Sequence, residues 1–124
     1  YVQHIMAWSI DARIPVTLLP DAAALPGALA GRPAALLAEG AAHPAGAAII
    51  ESFLPEARHA AACTCCAGRS AAAQALDRLF QARVRGKSAW FERVLVLAAT
   101  EEGRAELARA LAEDPLTMAR FRAG

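Results

Sequence analysis

"WFERVLVLAAT", residues 90–100, decides the fold. Val94, Leu95, Val96 and Leu97 follow one another without a polar interruption. A strand with one wet face alternates apolar and polar residues, whereas a strand covered on both faces reads as a continuous apolar run. That run is the pattern of an interior strand in a parallel sheet. Just beyond it, Thr100 precedes Glu101 and Glu102, a hydroxyl and two negative charges suited to a helix N-terminus. "AELARALAE" (105–113) continues that helix, and Asp114-Pro115 reads as the cap and first position of another short one.

Upstream, Ala72, Leu76, Leu79, Phe80 and Val84 recur at helical spacing between Ser70 and Val84, with Asp77, Arg78, Gln81 and Arg83 between them. Gly86 ends this helix. "RIPVTLL" (Arg13 to Leu19) is a short apolar run with β-branched residues and reads as a buried strand. In "PDAAALPGALAG", Asp21 caps a short helix that Pro26-Gly27 interrupts. "PAALLAEG" (Pro33 to Gly40) is a second apolar run that reads as strand while its alanines leave the assignment ambiguous, and Ile49 and Ile50 mark a further buried element among Pro44, Gly46 and Pro55. Trp8, Trp90, Phe91 and Phe121 are expected in the core. Strands alternating with helices imply an α/β domain, a three-layer sandwich with a mainly parallel sheet. It is expected to span residues 1–124 as one domain, with no clear pattern over 1–12.

Composition narrows the function. The hydrophobic fraction is 56% and the charged fraction 20%, which excludes a disordered chain. Thirteen Lys and Arg against twelve Asp and Glu leave a net charge of +1, with no basic footprint for nucleic acid and no polybasic membrane patch. No apolar run reaches the roughly 18 residues a membrane span needs. The opening "YVQHIMAWSIDARIPV" lacks the basic and apolar regions of a signal peptide. Three cysteines, two of them adjacent, suit a reducing cytoplasm better than a disulfide framework.

Those cysteines stand together in "AACTCCAGRS" (61–70). A Cys-x-Cys-Cys cluster brings thiolates around one soft ion, and zinc takes four thiolate or imidazole ligands in a tetrahedron. Cys63, Cys65 and Cys66 leave one position, open to His59, His43, Glu39, water or a second subunit. A closed structural site uses two separated ligand pairs, so an open, exchangeable site is the more natural reading. The competing reading is that the three are small buried apolar residues, since free cysteine packs as a hydrophobe. A Cys65–Cys66 disulfide is disfavoured by strain. Thiol-redox chemistry is a third reading, because adjacent low-pKa thiolates react. His59 lies four residues before Cys63, while His4 and His43 are scattered. No Ser-His-Asp spacing or hydrolase signature stands out.

From Arg13 onward the chain resembles the N-terminal domain of the CobW-type P-loop GTPases, the metallochaperone and cobalamin-synthesis group. The resemblance rests on "CTCCAGRSAAAQALDRLFQARVRG", a Cys-x-Cys-Cys sequence entering a helix, on "FERVLVL", and on "EDPLTMARFR" (Glu113 to Arg122), in that order. "RIPVTLL" is similar to the strand that leads into the family's phosphate loop. The resemblance implies a P-loop NTPase-like fold and carries the family's metal-binding cysteines onto Cys63, Cys65 and Cys66, with Glu39 near its acidic residue after the second strand.

The departures remove the nucleotide engine. A P-loop needs glycine N–H groups around phosphate, then Lys and Ser/Thr. Here "PDAAALPGALAG" has no lysine, and Asp21 stands where phosphate would approach. The acidic residue that acts through Mg²⁺ aligns with Leu97, and the γ-phosphate-sensing glycine with Thr100. Lys87, the single lysine, lies before that strand. The guanine-reading segment and C-terminal domain have no counterpart within these 124 residues. The expectation is therefore a non-catalytic CobW-like protein without a working Walker A loop, binding zinc but no nucleotide. Its expected partner is a second copy or a full-length relative. The alternative is a structural or interaction module, dimeric through the vacated surface, whose cysteines are relics.

Overall fold

The computed structural model describes residues 11–40, 46–55 and 69–124. Five strands, β1 (Ile14–Leu18), β2 (Ala34–Glu39), β3 (Ile50–Phe53), β4 (Arg93–Leu97) and β5 (Phe121–Ala123), form one sheet in the order β3-β2-β4-β1-β5. Every pairing is parallel. The helices are α1 (Leu25–Leu29), preceded by a 3-10 turn at Ala22–Ala24, then α2 (Ala71–Val84), α3 (Glu101–Glu113) and α4 (Pro115–Arg120).

The register explains the continuous apolar runs. Val94 and Val96 of β4 pair with Val16 and Leu18 of β1 on one side and with Ala35 and Leu37 of β2 on the other. On one face Val16, Ala35, Leu37, Val94 and Val96 pack against Leu76 and Leu79 of α2 and Leu107 and Ala110 of α3. On the other, Leu36 and Leu95 meet Leu25, with Ala28 and Leu29 of α1 beside them. Helices on both faces make a three-layer α/β sandwich. Ala72, Ala73 and Ala75 are all buried on α2, and their small side chains let this helix lie close to the sheet.

Side-chain caps fix the helix starts. Ser70 accepts from Ala73 N at 3.1 Å, Thr100 from Gly103 N at 3.0 Å, and Asp114 from Thr117 N at 2.9 Å. Past the end of α2, Gly86 adopts φ 71°, a left-handed turn that favours glycine.

Three expectations change. Pro26 does not interrupt the helix after Asp21: a 3-10 turn comes first, and α1 then opens with Pro26 in its first turn, where a missing N–H is harmless. Trp90 is 58% exposed rather than in the core, although Phe91 and Phe121 are buried. Val84 completes the helical spacing of α2 yet is exposed at the last residue of the helix. Phe121 opens a short edge strand, its register with Ile14 set by pairing to β1.

Candidate functional site

The chain leaves β1 across one face to reach β2, and leaves β4 across the opposite face, through α3 and α4, to reach β5. Since β4 lies between β2 and β1, these connections part above the carboxyl ends of the strands. Open parallel sheets hold ligands at such a switch point. A cleft of about 440 Å³ lies here, lined by Leu19, Asp21, Glu39, Leu97, Ala99 and Arg104 among others.

Glu39, at the end of β2, organises the cleft. Its Oε1 accepts from Ala99 N at 2.7 Å and Thr100 N at 2.9 Å, and its Oε2 accepts from Thr100 Oγ1 at 2.6 Å. Burial pushes the carboxyl pKa up, but the Thr100 hydroxyl, the Thr100 and Ala99 amides and the charge of Arg104 outweigh it. The pKa therefore lies below the ordinary glutamate value, and the group is held as a carboxylate. A negative charge at the start of α3 also interacts favourably with the helix dipole. Gly103 makes room for it: a Cβ there would stand 2.1 Å from Glu39 Oε1 and 2.5 Å from its Cδ.

Asp21 accepts from Ala24 N at 3.1 Å in extended backbone, capping the turn after β1. Two sets of backbone donors beside this cleft are thus already held by the protein's own carboxylates. Arg104 borders the cleft, donating to the carbonyl of Ala98 at 3.3 Å and lying 3.4 Å from Glu101.

A second polar centre surrounds the start of α2, immediately after the cysteine-bearing stretch. Arg69 grips Asp114 with Nε and Nη2, both at 3.1 Å, and lies 3.9 Å from Asp77, which Arg120 also contacts. Burial raises the Asp114 pKa, while the Arg69 fork and the Thr117 amide and hydroxyl lower it further, so it lies below the ordinary value. Glu106, only 4% exposed, reaches across from α3 to accept from Ala72 N at 2.9 Å. Beside this centre lies an open hollow of about 550 Å³ lined by Arg69, Arg109, Glu113 and Asp114.

Of the candidate ligands, Cys63, Cys65, Cys66 and His59 lie outside the described residues, as do His4 and His43. Glu39 is described, with both oxygens engaged as above. Among the described residues, no group of three or more His, Cys, Asp and Glu side chains converges as a metal site. A cation at Glu39 would have to share a carboxylate already holding three donors. The sequence reading passed over Glu106, which sits in a polar stripe of α3 and looks solvated until α2 is packed on it. It also passed over the pairing of Arg69 with Asp114, 45 residues apart. Comparison with protein-family models, with curated proteins and with solved structures finds no match to this chain.

Proposed function

We propose that this chain is a non-catalytic, CobW-like protein that binds zinc through Cys63, Cys65 and Cys66. The observation that carries the reading is the set of three cysteines within four residues. The connection bearing them runs from the end of β3 to the start of α2, and the strands' carboxyl edge is where parallel α/β sheets gather ligands. Thiolates and imidazole are the donors zinc prefers, which makes His59 the better fourth ligand. Glu39 is the weaker candidate, since its oxygens accept from Ala99 and Thr100.

The non-catalytic half of the proposal draws support from the turn after β1. Its backbone passes through Pro20, which has no N–H, and Asp21 takes the Ala24 amide. At α3 the amides of Ala99 and Thr100 hold Glu39. Phosphate arriving at either place would meet a carboxylate.

Elemental analysis of protein purified without a histidine tag tests the metal. Near-stoichiometric zinc in the parent and its loss in the double variant Cys65→Ser/Cys66→Ser are expected. Metal-free parent protein, with melting unchanged by the two substitutions and by added zinc, overturns the proposal. Equilibrium dialysis against GTP and ATP tests the other half; saturable retention at micromolar nucleotide would contradict it.

A further inference from the structure

At the opposite, amino end of the sheet, the end of α2 and the approach to β4 enclose a groove of about 380 Å³. Its apolar wall is built from Ile14, Phe80, Val84 and Trp90, and Arg13, Arg83 and Arg120 reach into it. Two of these arginines have carboxylate partners: Arg13 pairs with Asp11 at 2.7 Å, and Arg120 with Asp77. Arg83 differs. Its guanidinium carbon lies over Trp90, 3.7 Å from the ring centroid, and 5.5 Å from that of Phe91. Its Nε is buried without a hydrogen-bond partner among the described residues.

The Nε atoms of Arg93 and Arg122 are buried in the same way, but of the three only Arg83 lines this groove. Burial lowers the Arg83 pKa, and the charge of Glu92 only partly opposes this. Beside it, Trp90 and Val84 are 58% and 56% exposed. Arg85 and Lys87 stand exposed on the turn that leaves α2, without a salt bridge to any described residue. Exposed tryptophan next to an open arginine is the composition of an interface hot spot.

We propose that this groove docks an acidic, apolar peptide segment of a partner protein, a carboxylate meeting Arg83 and a neighbouring apolar side chain covering Trp90. The assignment does not depend on the metal reading. Charge complementarity identifies the occupant: three arginines, Arg13, Arg83 and Arg120, line the groove beside its apolar wall, and among the described residues no carboxylate does. Residues 1–10, which precede the groove in the chain, carry no acidic side chain and cannot supply the missing charge. Nucleic acid fits less well, since its binding needs a track of phosphate-neutralising cations and this chain has a net charge of only +1.

The test is fluorescence anisotropy at low salt with a labelled short peptide of alternating Glu and Leu. Its Gln counterpart and an oligothymidylate serve as comparators. Saturable binding of the acidic peptide is expected, weakened about tenfold or more by Arg83→Gln and by Trp90→Ala. Arg109→Gln removes the same charge from an exposed site outside the groove and is expected to bind as the parent does. Arg83→Lys, which keeps the charge but removes the guanidinium over Trp90, should fall between the parent and Arg83→Gln, and Trp90→Phe between the parent and Trp90→Ala. Both carry the test if the larger changes unfold the chain. The proposal is overturned by absent saturation, by equal binding of the Gln peptide, by an equal loss in Arg109→Gln, or by tighter binding of the oligothymidylate.

Discussion

Gly103→Ala sets two effects of opposite sign against each other. Alanine inside a helix is better than glycine by about 0.5–1 kcal/mol. Gly103 lies in the first turn of α3, so the substitution should stabilise if nothing else changes. Yet the new Cβ would sit 2.1 Å from Glu39 Oε1 and 3.0 Å from Oε2. The glutamate tip can swing away easily, so the loss lies in its hydrogen bonds to Ala99 N, Thr100 N and Thr100 Oγ1. Buried charged hydrogen bonds contribute about 1.5–3 kcal/mol each, but this carboxylate lines an open cleft and its donors rehydrate, so about 1 kcal/mol per bond applies. Three such losses less the helical gain give a net destabilisation of about 2 kcal/mol. For a domain this size that lowers the melting temperature by about 8 °C.

The decisive measurement is a double-mutant cycle by thermal and urea denaturation at neutral pH. In a Glu39→Ala background the clash is gone, and Gly103→Ala should stabilise by about 0.5–1 kcal/mol. The sign therefore reverses between backgrounds. A stabilising Gly103→Ala in the parent, or the same destabilisation in both backgrounds, would refute the assignment of Glu39 as the brace of α3.

Glu39 and Asp114 both have folded pKa values below their ordinary ones, so the stability they contribute is complete above about pH 5 and is lost as pH falls through their folded values. In urea titrations, the stability gap between the parent and Glu39→Gln should stay level from neutral pH to about pH 5 and shrink below it; a gap that widens in acid contradicts the sign. Asp114→Ala removes the cap of α4 and leaves Arg69 without its fork partner, and should lower stability by about 2–3 kcal/mol in urea unfolding. Leu76→Ala, at a position with 0% exposure between α2 and the sheet, should lower it by about 2–5 kcal/mol. A loss below about 1 kcal/mol would mean that α2 does not pack on the sheet as described.

The central strand was legible because burial on both faces leaves its mark in consecutive residues: Val94 to Val96 need no partner information to be recognised, whereas the alanines around Leu36 and Leu37 suit helix as well as strand. Helix starts were legible for a similar reason, since the caps at Ser70, Thr100 and Asp114 act within three residues of themselves. Trp90 misled because an aromatic residue beside a buried strand usually packs inward, and only the end of the sheet decides otherwise. Pro26 misled because a proline that breaks a helix and one that opens it look alike without the backbone around them. As for the candidate site, Glu39 was singled out by position, but its three donors come from a loop some 60 residues away.

The sequence by itself determined an α/β domain, its interior strands, its helix starts and the clustered thiols, because each depends on residues close together in the chain. Only the tertiary structure decided the strand order, the seating of Glu39 on α3, the bridge from Glu106 to α2 and the open arginine beside Trp90. These depend on which distant segments the crossovers bring together, and hydrophobic periodicity records how deeply a residue is buried without recording against what.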